Sequence, residues 1–310
     1  MKQTSTTFST SKKSRLRSFC EKAKSVKFYM AIFPILWILL FFIFPLLIIF
    51  KISFAEPVAA MPPFTEIFSW GHDQFLQIRL NLHNYFSVIK DSYYVSAFLN
   101  SVVLSLASTA MCFLLGFMMA YGIYKVEDRL KTLLLLLVSL SFWTSFLIRI
   151  YAWMNLFSAH GFVNSMLIKS GIIDSPIQFC GNYYAVCCGM VFCYLPFMIF
   201  PVYAVLEKFD KTYIEAAYDL GASPAKTFWK VTIPLAKHGI AAGCILVFAT
   251  SIGEFVIPEL LGGSDTVMFG RVLWAEFFNN LDWPMACALA MVMMIFIILP
   301  VFVFKKKANI

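Results

Sequence analysis

Charge is scarce in this sequence: Asp, Glu, Lys and Arg make up 14% of its 310 residues. That scarcity excludes an ordinary water-soluble domain, which needs a charged skin around its core. Histidine is nearly absent, with four copies, and the eight cysteines show no C-x-x-C and no Cys/His ligand spacing. Neither a metal centre nor a disulfide framework is indicated. Cys112, Cys187, Cys188, Cys193, Cys244 and Cys287 fall in apolar runs, where the thiol serves as a small hydrophobe. No G-x-x-x-x-G-K-[ST] occurs, so the chain has no loop of the kind that cradles ATP phosphates. H-E-x-x-H and G-x-S-x-G are also missing, which leaves an intramembrane hydrolase without support.

What fills the sequence is apolar. Hydrophobic residues make up 60%, there are 34 Phe, and the mean hydropathy is +0.78. A run of about 20 such residues crosses a hydrocarbon layer of about 30 Å as a helix, which satisfies its own backbone. The sequence therefore predicts an all-α integral membrane protein. Six spans are expected: Tyr29–Ile52, Ala97–Tyr124, Leu133–Phe157, Tyr183–Leu206, Gly239–Leu261 and Pro284–Phe304. The uninterrupted run from Ala31 to Phe50 exceeds a cleavable signal core, so the first span is expected to stay.

Orientation follows from the basic residues. Eight lie between Lys2 and Lys27, three between Lys125 and Lys131, five between Lys208 and Lys237, and three at Lys305–Lys307. Only Lys51, Arg79, Lys90, Arg149, Lys169 and Arg271 fall elsewhere. Both termini are expected on the cytoplasmic side of the membrane. The net charge of +8 then reflects anionic lipid and membrane insertion, and no nucleic-acid partner is called for. The expected organisation is a basic tail over residues 1–28, a six-span domain over 29–304, and a short tail over 305–310. The long external loop from Ser53 to Ser96 is expected to be either a partner surface or a lid on its own chain.

One cytoplasmic loop, residues 207–238, does not read like a mere connection. Thr212 and Glu215 have capping-box spacing and predict a helix to about Leu220. Gly221 is placed to turn the chain in a left-handed conformation. Ser223 and Pro224 then predict a second start, with Pro234 closing that helix before the next span. Such a pair is either an amphipathic surface pair lying on lipid or a rigid knob for a soluble partner.

The residues of this pair resemble a known motif. Glu215, Ala216, Ala217, Gly221 and the V-T-I-P at Val231–Pro234 match, in type and separation, the coupling motif of bacterial ABC importer permeases. Val231 and Ile233 are conservative departures from it. The resemblance implies a fold of six spans with a cytoplasmic coupling helix pair between spans 4 and 5. It further implies a complex with two ATP-binding cassette ATPase subunits, which hold ATP and magnesium and one of which takes that pair into a cleft, so that this chain carries no cofactor of its own. A second, homologous permease and an external binding protein are the other implied partners.

Charged groups inside spans are functional candidates. Glu254 lies about 22 Å along span 5 at 1.5 Å per residue, and Arg149 about 25 Å along span 3. Glu254 is expected either to meet a cationic solute or to pair with Arg149, and Arg149 either to pair or to snorkel to the interface. Glu259, Tyr151 and Trp153 complete the candidate path, the two aromatics being equally suited to an interfacial belt. A carboxylate among aromatic rings suits an ammonium. The stretches "SFLIRIYAWMNLF", "LPFMIFPVYAVLEKFD", "IGEFVIPELLGG" and "GRVLWAEFFNNLDWP" resemble the polyamine-importer permeases, for putrescine or spermidine, over about residues 30–304. A permease for another small solute and an ion-coupled secondary carrier are the alternatives. The absence of an internal repeat counts against the carrier.

Overall fold

The computed structural model describes residues 32–58, 60–65, 68–70, 76–78, 81–210 and 212–308. The basic tail over residues 1–28 lies outside the described residues. Within them the chain is helical except for a short hairpin, β1 (Phe68–Trp70) antiparallel to β2 (Leu76–Ile78).

Helix α1 (Ile32–Ile52) contains a π-turn at Leu39–Ile43, directly before Pro45. The wider turn accommodates a ring that cannot donate to the preceding carbonyls. After the hairpin come α2 (His83–Lys90) and the long α3 (Ser92–Lys125), which is capped by Asp91 accepting from the Tyr93 amide at 2.9 Å. Four helices follow: α4 (Asp128–Trp143), α5 (Phe146–Phe157), α6 (Phe162–Lys169) and α7 (Tyr183–Leu206). The segment after α7 forms α8 (Thr212–Asp219), and α9 runs unbroken from Pro224 to Ile252. Beyond the C-terminal end of α9 lie α10 (Val256–Leu261) and α11 (Phe269–Trp274), followed by α12 (Trp283–Ala308).

Four of these helices are long and apolar enough to cross a membrane: α1, α3, α7 and α9. The expected third span is not straight. Helices α4 and α5 meet at Thr144–Ser145, where α4 and the following unit Phe146–Lys169 are bent by 94°. The run Ser141–Ser145 explains the break. The Thr144 hydroxyl bonds the Ser141 carbonyl at 3.0 Å, and both Thr144 and Ser145 adopt extended backbone in place of a further turn. Counted as one, the bent pair makes a fifth crossing, and the apolar part of α12 (Trp283–Leu299) is shorter than those four.

The core is a three-helix pack of α3, α7 and α9. Its contact faces carry small residues that let backbones close up. At Gly239 a Cβ would stand 2.7 Å from the Pro201 carbonyl oxygen and 3.1 Å from the Val202 Cα, neither of which can move aside alone. Gly239→Val is therefore expected to lower stability by about 1–3 kcal/mol through overpacking. A lower melting temperature of the detergent-solubilised chain would show it, and an unchanged one would contradict this packing.

Where it is described, the long external loop is fastened to its own chain. Buried Asn84 donates to the Ser53 and Ala55 carbonyls, both at 3.0 Å, and the Ser53 and Tyr85 hydroxyls lie 2.7 Å apart. The Phe64 ring packs near Trp283 of α12.

Candidate functional site

Two places stand out, one at each end of α9. At its N-terminal end, α8 and the start of α9 form a helix pair where the sequence predicts one, but their ends are made differently. Asp210 caps α8: its Oδ1 accepts from the Thr212 hydroxyl and, at 3.0 Å, from the Thr212 amide. These bonds, the hydroxyl's first, hold the Asp210 carboxyl below its usual range. Thr212 is thus inside the helix, and Glu215 makes no hydrogen bond or ion pair among the described residues. It is exposed, as is Ala216, while Ala217 is half-buried. Gly221 has φ 76° with open space around its Cα, the left-handed turn that the sequence predicts. Ser223 Oγ accepts from the Lys226 amide, with Pro224 in the first turn.

Pro234 does not close the second helix. The chain widens into a π-turn at Phe228–Thr232 and continues into the span. Pro234 cannot donate to a preceding carbonyl, and the wider turn just before it absorbs that loss without breaking the helix. The second helix of the pair and the fifth expected span, as far as Ile252, are thus one rod of 29 residues, about 44 Å at 1.5 Å per residue.

The base of the loop is fastened by charge. Lys131, buried at the start of α4, places its Nζ 3.0 Å from Asp128 and 3.5 Å from Glu207, the residue that ends α7. Between this corner and α8 lies a groove of about 570 Å³, lined by Tyr124, Lys125, Glu127, Lys131, Glu215 and Tyr218. Glu215 faces it without a partner of its own.

At the far end of the rod, α9 stops at Ile252, and Gly253–Phe255 separate it from α10. Glu254 sits in this break, 9% exposed. One carboxylate oxygen accepts from the amides of Phe255, Val256 and Ile257 at 3.1, 2.8 and 3.3 Å. The other accepts from the Tyr194 hydroxyl of α7 in a very short contact. Glu254 and Arg149 form no ion pair in this structure. In this structure four donors satisfy the carboxylate, three of them from the backbone that it caps, and the pairing with Arg149 that the sequence allows is not made.

The other candidates scatter around this centre. Arg149 is half-buried on α5, near the Phe146 ring, and close enough for its charge to act on Tyr194 and Cys193. Trp153, one turn on, packs edge-on against Phe192 of α7 with ring centroids 5.0 Å apart. Tyr151 points away and is exposed. Glu259 is paired with Arg271 of α11, Oε2 to Nε at 2.5 Å, so it is not a free carboxylate. Tyr194 is the member that the sequence analysis missed. A phenol in the middle of the apolar run "VFCYLPF" requires a partner, and that requirement was the available signal. A second buried carboxylate was missed too: Glu276 accepts from Tyr94 and Asn280, both at 2.9 Å.

Comparison with known proteins places this geometry. The spermidine/putrescine transport system permease protein PotB of Escherichia coli (strain K12) is 35% identical over 274 residues, covering 88% of this chain and 94% of that protein. PotB of Haemophilus influenzae is 34% identical over 270 residues, covering 87% and 90%. Among solved structures, a bacterial ABC transporter involved in the import of the acidic polysaccharide alginate aligns with a TM-score of 0.67 at 16% identity. That alignment covers 94% of this chain and 99% of the other, and it shows a shared fold. Residues 112–305 match the family described as binding-protein-dependent transport system inner membrane component. With a helix pair and a buried polar centre joined by one rod, the chain belongs to this family of ABC importer permeases.

Proposed function

We propose that this chain is a transmembrane permease subunit of an ATP-driven importer of polyamines, putrescine or spermidine. The observation that carries the solute class is the identity of 34–35% over 88% of the chain to permeases named for spermidine and putrescine. Fold alone does not supply it, since the alginate transporter shares the architecture and handles a polyanion. The residues fit the class: an ammonium can replace the Tyr194 hydroxyl at Glu254 while the three backbone bonds stay in place.

In this reading the chain crosses the inner membrane six times with both termini in the cytoplasm, as the distribution of Lys and Arg favours. The importer has two ATPase subunits, which hold ATP and magnesium, and one of them receives α8 and the turn at Gly221. A second, similar permease forms the other wall of the path, and an external binding protein delivers the solute. Closure of the ATPases displaces the helix pair. Because α9 is continuous from Pro224 to Ile252, that displacement reaches the break at Glu254 along a single helix. Alternating access then consists of opening the break first to the outside and then to the cytoplasm.

Glu215 carries the docking part of this reading. It has no capping duty here, so its charge is available to a basic residue of the ATPase. Glu215→Gln is expected to lower uptake on the order of tenfold, the loss of one charge-assisted bond. Unchanged uptake would remove Glu215 from the docking contact. The solute class is tested in a bacterial host lacking its own polyamine uptake, expressing this chain with the products of its neighbouring genes. Labelled putrescine or spermidine should enter, and unlabelled polyamine should compete where choline and amino acids do not. Entry of a neutral or anionic solute instead would overturn the assignment.

A further inference from the structure

Arg149 is a charged candidate whose chemistry the proposed path leaves unused. Its Nε and Nη1 are buried and meet no acceptor among the described residues, and its only partner there is the Phe146 ring, 5.8 Å away. Buried guanidinium donors without acceptors are costly, so a second arrangement of the protein must supply one. The neighbourhood shows where. Helix α5 packs on α10 and α7, the elements that hold Glu254 and Tyr194. The other carboxylate of α10, Glu259, is already engaged by Arg271.

We infer that Arg149 is a built-in counter-cation for Glu254, taking over the carboxylate as solute leaves and so setting how readily solute is released. The inference rests on the polyamine reading above. When an ammonium bonded to Glu254 departs, the carboxylate loses a charged partner in a buried setting. A guanidinium on the helix packed against this centre replaces that partner and competes with rebinding, which keeps the path from becoming a trap. Both groups stand at hinges: α5 begins at the 94° break after Thr144, and Glu254 sits in the break between α9 and α10. In the present structure the carboxylate rests on Tyr194 and the guanidinium waits unpaired.

The test is initial-rate uptake of labelled putrescine by the complete importer in vesicles, normalised to the amount of chain in the membrane. For Arg149→Gln, apparent KM and Vmax are both expected to fall by about fivefold, the low end of couplings between interacting sites. Arg149→Lys is expected to restore both in large part, because it keeps the charge. Arg149→Met, which fills the same apolar space, serves as the neutral variant if the glutamine form does not accumulate. A fall in Vmax with KM unchanged or raised in the neutral variant, or a lysine variant as impaired as the neutral one, would overturn the inference and leave the polyamine reading standing. A wild-type importer that moves no polyamine would overturn both.

Discussion

Glu254→Gln is expected to reduce polyamine uptake on the order of a hundredfold, about 3 kcal/mol, while the protein still reaches the membrane in normal amount. Glutamine keeps a carbonyl oxygen for the amides of Phe255, Val256 and Ile257, so the start of α10 survives. What disappears is the charge, and with it the interaction that distinguishes an ammonium from a neutral solute. Labelled putrescine uptake into vesicles, with membrane abundance measured alongside, separates the two effects. Full uptake by this variant would take Glu254 out of the path, and the case for a cationic solute would then rest on the named relatives alone.

Gly221→Val is expected to abolish coupling by an equally local route. The residue holds φ 76°, and a branched Cβ in that conformation costs about 1–2 kcal/mol and disfavours the tight turn between α8 and α9. Nothing lies within 4 Å of the added Cβ, so the effect is one of backbone conformation and not of crowding. Insertion of the spans should be unaffected, because the turn lies outside them. Gly221→Asn is the control, since asparagine tolerates left-handed backbone best among residues with a side chain. ATPase pull-down and uptake should both fail for valine and largely survive for asparagine. Equal behaviour of the two variants would place the importance of Gly221 elsewhere.

Much of this architecture is legible in the sequence because lipid leaves few options. The fourth span matches α7 at both ends, Tyr183 and Leu206, since a long apolar run bounded by Asn182 and Glu207 has one stable form. The turn at Gly221 was legible for the same reason, as few other residues fit that backbone. The misses have a common cause. Proline and hydroxyl residues act through the backbone bonds that they remove or compete for, and neighbours decide the outcome. Thus Pro234 was expected to end a helix and instead follows a π-turn within one, whereas Thr144 and Ser145 break a span that hydropathy draws as straight. The cap on α8 fell to Asp210 in place of Thr212, because the Asp210 carboxylate accepts from both the amide and the hydroxyl of Thr212 and so takes that hydroxyl away from capping. At the site, Glu254 was visible as a charge in an apolar run, but its phenol partner lies 60 positions away in sequence and only the fold brings them together.

The central claim is that force applied at the helix pair reaches Glu254 along α9 and moves a polyamine. It is tested most directly by reconstituting the complete importer in vesicles and measuring ATP-driven accumulation of labelled spermidine and ATP hydrolysis together. Comparison is with a variant in which two prolines interrupt α9 between Gly239 and Val247. The account predicts that wild type accumulates spermidine in step with hydrolysis, and that the interrupted rod still binds its ATPases and hydrolyses ATP but accumulates none. Accumulation at the wild-type rate by a rod so interrupted would contradict it.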